Sequence, residues 1–117
     1  MEIKGEVKVL RIYISNTDKA EHTSLYEAIA FEAKRYGMAG ATVYKGVMGY
    51  GASLELHSDK FWEITEKIPV IVEIIDQTEK IDSFSEHILP WIKSLSKGCL
   101  ITSQKIDLIL SKQGGKI

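Results

Sequence analysis

Residues 69–76 read Pro-Val-Ile-Val-Glu-Ile-Ile-Asp, and few other stretches constrain the fold as tightly. Strand alternation puts Val70, Val72 and Ile74 on one side and Ile71, Glu73 and Ile75 on the other. Both sides are largely apolar, the pattern of a central strand covered on both faces. Pro69 lacks a backbone N–H and fits only at the start of such a strand. A second β-rich run, VKVLRIYI, lies between Glu6 and Ile14. There Leu10, Ile12 and Ile14 form a purely aliphatic face that belongs to the core. Val9, Arg11 and Tyr13 form a mixed face.

Each of these strands is followed by a helical pattern. Ser15 to Thr23 is polar and reads as a loop. Ser24 and Glu27 then have the spacing of a capping box. Leu25, Ala28, Ile29, Ala33 and Tyr36 recur at helical intervals, and Gly37 is placed to end the helix in a left-handed conformation. After the Pro69 strand, Thr78 is a candidate cap. Ile81, Phe84, Ile88, Ile92 and Leu95 continue at steps of three and four to Gly98, the expected stop. Pro90 interrupts this pattern and predicts a kink near 86–90 rather than an end, because the apolar stripe runs on.

Two further strands complete the order. Thr42-Val43-Tyr44 favours a strand that Gly46, Gly49 and Gly51 weaken into a bulge and a tip. Cys99 to Leu110 alternates loosely, with Ile101, Ile106, Leu108 and Leu110 apolar. Between them, 52–67 is a long irregular connector, the kind of loop that in compact domains is usually either functional or disordered. Strand–helix–strand, twice over, is the ferredoxin-like βαββαβ arrangement of an α+β domain, expected over 6–111 with 112–117 as a flexible tail. Its helices cover one sheet face. The other face would carry Val9, Arg11 and Tyr13, and a partly apolar open face predicts oligomerisation, with Arg11 needing a partner carboxylate or aromatic ring at the subunit junction.

Composition narrows function by exclusion. The 117 residues hold 15 Lys plus Arg against 16 Asp plus Glu, a net charge of −1, which argues against a chain built around nucleic-acid or membrane phosphates. The single Cys99 excludes an internal disulfide framework and fits a reducing compartment. No apolar run approaches the roughly 20 residues of a membrane helix, and Met1–Glu6 has no apolar leader core. The expectation is a cytoplasmic protein. No nucleophile elbow, catalytic carboxylate pair or Walker loop is present, so the chain reads as a non-enzyme.

Gly37-Met38-Ala39-Gly40-Ala41-Thr42-Val43, with Gly49-Tyr50-Gly51 after it, resembles the strand that leads into the mobile T-loop of PII nitrogen-regulatory signalling proteins. Together with Leu10–Ser15, Leu25–Ile29, Leu56–Lys60 and Pro69–Asp76, it is similar to a branch of short PII-like proteins of unknown function (domain of unknown function 190). The resemblance implies a homotrimer with inward-facing sheets. It also implies an adenine nucleotide (ADP, AMP or ATP) in the clefts between subunits, and no permanently bound cofactor. The segment from Gly49 to Lys67 would signal to a regulated partner, a membrane transporter or channel or an enzyme. Carried over, Gly40 and Thr42 match the strand residues that meet the nucleotide, and Gly49 and Gly51 the glycines at the root of the loop. Bare backbone there lets phosphate oxygens approach N–H groups. The stretch Ser94–Cys99 departs from the phosphate-cradling loop of PII proteins, with one glycine and no Asp, and the tail has Lys112 and Lys116 where PII proteins place paired arginines. A different nucleotide or a small anion in the same cleft is left open.

Each candidate also has a plainer reading. The glycines serve equally as turn and bulge residues. Lys45 either neutralises a phosphate or is a solvated strand lysine. His57 is a candidate for ligand or subunit contact. With cleft carboxylates it also supports an alternative function, a divalent-metal-binding trimer similar to the CutA branch of this architecture. His22, His57 and His87 share no metal-binding spacing. Cys99, flanked by apolar residues, reads as buried and inert. Phe61 and Trp62 either tuck onto the assembly or present an anchor to a partner.

Overall fold

A computed structural model describes residues 3–50 and 67–115. Among the described residues, six strands and two helices follow one another: β1 (Val7–Ser15), β2 (Lys19–Ala20), β3 (Thr23–Ser24), α1 (Leu25–Tyr36), β4 (Thr42–Lys45), β5 (Pro69–Gln77), α2 (Thr78–Ser94) and β6 (Leu100–Ile106). The main sheet has the order β4-β5-β1-β6, with every neighbouring pair antiparallel. This is the ferredoxin-like topology expected from the sequence. Both helices pack on one side of it.

The core lies between the helices and that side. Leu10, Ile12 and Ile14 from β1 and Val70, Val72 and Ile74 from β5 meet Leu25, Ile29 and Ala33 of α1 and Ile81, Phe84, Ile88 and Ile92 of α2, all buried. Each of these side chains larger than Ala33 contributes about 1.5–3 kcal/mol by leaving water. α1 ends at Gly37, whose φ of 92° is left-handed, and its N–H and that of Met38 close back on the carbonyls of Lys34 and Ala33. A side chain with a Cβ would be strained there.

The structure corrects several local expectations. The segment 15–24 is not a simple loop. The side chain of buried Asp18 accepts the Ser15 N–H at 3.0 Å, and the Asp18 carbonyl accepts that of Leu25 at 2.8 Å. This turn brings β2 and β3 into a two-stranded ribbon before α1. Ser24 and Glu27 touch through their side chains instead of capping the backbone. Thr78 is the first residue of α2, with Gln77 at the cap position, and the helix ends at an extended Leu95 rather than at Gly98. Ser94 Oγ takes one of the terminal carbonyls, that of Trp91. The helix runs through Pro90, which faces solvent, so water can serve the carbonyl whose partner proline removes.

The second face of the sheet is where the sequence reading and the structure part most. Antiparallel partners point the same way, so the register lays rows across this open face. One row is Leu100, Tyr13, Ile71 and Tyr44; the next is Thr102, Arg11, Glu73 and Thr42. Val9 and Val7 follow along β1. β5 is central but its Ile71, Glu73 and Ile75 stay half-exposed, so the helices cover one face only. Val7 and Val9 are nevertheless buried, Val9 to 1% exposure. The chain ends supply cover at this end. Ile3 and Leu108 are half-buried there, and the Ile3 N–H donates to Ser111 Oγ at 3.1 Å.

Candidate functional site

The connection from α1 to β4 forms the wall of a cleft. Residues 37–41 are pinned from behind by β5. The buried Asp76 carboxylate accepts the Ala39 N–H at 2.8 Å and the Gln77 N–H at 2.7 Å, with Lys80 Nζ 3.7 Å away. Lys80 also donates to the carbonyl of Gly37. The pinned turn holds Ala39, Gly40, Ala41 and Thr42 against Glu73, Ile75 and Ile3, enclosing about 300 Å³. At Gly40 an added Cβ would meet nothing within 4 Å, so the position is kept open rather than packed.

Glu73 links this cleft to the polar row of the open face. Its Oε2 accepts from Arg11 Nε at 2.9 Å and from Tyr44 OH at 2.8 Å. Arg11 reaches on to Gln104 Oε1 at 3.4 Å. The hydrogen bond to Glu73 raises the pKa of Arg11, and Tyr44's own hydrogen bond to Glu73, then burial, raises that of Tyr44. Arg11 therefore has its carboxylate within its own chain, not at a subunit junction as expected. Alternation put Arg11 on the mixed face of β1 and Glu73 between Ile71 and Ile75 on one side of β5, but bringing the two together needs the β1–β5 register, which is not visible before the strands are aligned. Among the described residues, neither Lys nor Arg lines the cleft.

The remaining candidates are dispersed. Gly40 and Thr42 share the cleft. Lys45 stands at the other end of β4 with the helix side of the sheet, its Nζ 5.8 Å above the Tyr26 ring. Gly46 and Gly49 lie against Pro69. A Cβ at Gly46 would come within 2.6 Å of Pro69 Cγ, and one at Gly49 within 3.4 Å. The four residues of β4 separate them from Gly40 by roughly 13 Å of extended chain. Gly51, His57, Phe61 and Trp62 lie outside the described residues. His87 is exposed on α2, its Nε2 2.6 Å from Glu32 Oε2. Among the described residues no three His, Cys, Asp or Glu side chains gather as a metal site requires.

Residues 7–108 match the family DUF190, described as "Uncharacterized ACR, COG1993". The chain belongs to that family. A UPF0166 protein of Aquifex aeolicus is 37% identical over 102 residues, covering 87% of this chain and 92% of that protein. A UPF0166 protein of Methanocaldococcus jannaschii is 37% identical over 89 residues, covering 76% and 82%. Among solved structures, this DUF190 chain is similar to CPII of Thiomonas intermedia K12 bound to ADP, AMP and acetate. The TM-score is 0.55 at 14% identity, covering 88% of this chain and 90% of that one. CPII bound to ADP and bicarbonate gives 0.55 at 18% identity, covering 89% and 92%. A third structure of CPII, a nitrogen regulatory PII-like protein, gives 0.53 at 16% identity, covering 89% and 92%. The fold of this DUF190 protein is therefore PII-like. No helix among the described residues is long and apolar enough to cross a membrane.

Proposed function

We propose that this DUF190 protein is a PII-like sensor. It works as a homotrimer, takes an adenine nucleotide in clefts between subunits, and regulates a partner protein through the segment from Gly49 to Lys67 rather than catalysing a reaction. The observation that carries this reading is the cleft at Gly40–Thr42. It opens beside an uncovered sheet face, and among the described residues it has no Lys or Arg lining of its own. A phosphorylated ligand held there needs positive charge from elsewhere, and a second subunit against the open face is the natural source. CPII, which shares the fold, has been solved bound to ADP and AMP, and this supports the ligand class.

Isothermal calorimetry against ADP, AMP and ATP tests the reading, with Gly40→Val as the matched variant. Gly40 lines the cleft and the added Cβ meets no neighbour within 4 Å, so the fold tolerates the isopropyl group while it adds bulk at the cleft wall. Saturable heat with the unaltered chain, reduced at least about tenfold in affinity by Gly40→Val, supports the proposal. An assembled protein that gives no heat with any of the three overturns the nucleotide reading.

A further inference from the structure

The tail beyond β6 presents two aliphatic side chains that the single chain leaves in water. Ile109 is 92% exposed and Leu110 73%. The backbone that carries them is nonetheless anchored on both sides. Ser111 Oγ accepts the Ile3 N–H, and Leu108 is half-buried beside Val7 and Ile106. The pair is thus held outward from a fixed base.

A complementary surface lies at the other end of the open face. Leu100, Tyr13, Ile71 and Tyr44 are partners in register and form one apolar row across all four strands. Tyr13, Tyr44 and Leu100 are 37%, 42% and 57% exposed. Both the row and the tail pair are exposed within one chain, so the tail does not reach its own row. Beside the row, Arg11 and Glu73 neutralise each other, so covering it strands no unpaired charge.

The geometry points to a contact between copies: Ile109 and Leu110 of one chain seat on the Leu100–Tyr13–Ile71–Tyr44 row of a second copy. The exposed parts of these side chains amount to on the order of 600 Å². With the usual polar share, that reaches the roughly 1,000 Å² a specific interface needs. This inference rests on the assembly proposed above and names the surfaces that meet.

Sedimentation velocity at micromolar concentration, on the full chain, tests it. Ile109→Asp combined with Leu110→Asp raises the dissociation constant of the assembly at least about tenfold. Circular dichroism stays unchanged, because both side chains lie in solvent within one chain. A second variant does not depend on weakening anything. Leu110→Cys with Tyr44→Cys, in a Cys99→Ser background, yields disulfide-linked copies on oxidation. If the double-Asp variant assembles as tightly as the unaltered chain, or the cysteine pair forms no link within an intact assembly, this contact is wrong while the assembly stands. If the unaltered chain sediments as a single subunit, both fall.

Discussion

The two faces of the main sheet are made from the same strands and have different fates. On the helix side, Leu10, Ile12 and Ile14 of β1 and Val70, Val72 and Ile74 of β5 are aliphatic and buried under α1 and α2. On the open side the same strands alternate through Val9, Arg11 and Tyr13 and through Ile71, Glu73 and Ile75. That side is divided by its polar row. One part, around Val7 and Val9, is covered by the chain's own ends; the other, around Tyr13, is bare. A strand thus carries two separate instructions, and only the helix-side one is complete within one chain. The open side combines apolar area with an internally paired Arg11–Glu73–Tyr44 network, a surface suited to being covered reversibly.

The sharpest way to break this contrast is to truncate a large aromatic on each face. Phe84→Ala empties the centre of the helix-side core, where Phe84 is fully buried, and costs about 3–5 kcal/mol in chemical denaturation. Tyr13→Ala on the bare part costs under about 1 kcal/mol at concentrations too low for assembly. Comparable losses would show that the open face is not spare surface. Next in size is Asp76→Asn. Asp76 is buried beneath the cleft and serves two backbone N–H groups and Lys80. Removing its charge costs about 1–3 kcal/mol and loosens the turn at Gly40, read as faster amide exchange at 38–41. Glu73→Gln in the polar row costs less, under about 1 kcal/mol in the same denaturation, because Arg11 and Glu73 are partly solvated. An effect as large as that of Asp76→Asn would mean the row holds the sheet together.

These differences also mark what could be read before any coordinates. The helix-side core was legible because aliphatic alternation in VKVLRIYI and PVIVEIID and the steps of three and four in both helices all demand the same cover. Gly37 was legible because only one backbone role suits a glycine after such a stripe. What escaped were interactions set by register or by short polar contacts. The β2–β3 ribbon depends on Asp18 turning back to Ser15, a three-residue event with no periodic signature. The helix begins one residue earlier than a Thr78 cap would start it, with Gln77 at the cap position and the Thr78 N–H, an orphan of the first turn, donated to the Glu6 carbonyl across the sheet end. Within the candidate site, the Gly40–Thr42 stretch stood out by its glycines, whereas Asp76, which holds it, carries no spacing or motif that singles it out in the sequence.

The smallest expected effect compares adjacent residues on the two faces. Cys99 packs against the helix-side core, whereas Leu100 points from the open face. Burial first, and the negative charge of Asp18 second, raise the Cys99 pKa above that of an ordinary thiol. The thiol therefore holds its proton to higher pH than a free thiol, and iodoacetamide at mildly alkaline pH modifies it more slowly than the unfolded chain. A Leu100→Cys variant in the Cys99→Ser background reacts faster than Cys99 does, because its thiol is in solvent. The linkage has a definite sign. With the folded-state pKa above the unfolded one, this contribution to stability is fully present below the ordinary thiol pKa and declines as pH rises through the folded value. The Cys99→Ser chain therefore lacks that component of the alkaline decline, visible as a flatter slope of denaturation midpoint against pH above the ordinary thiol range. Equal alkylation rates at 99 and 100, with identical slopes in both chains, would place Cys99 in solvent and remove the distinction between the faces at this edge of the sheet.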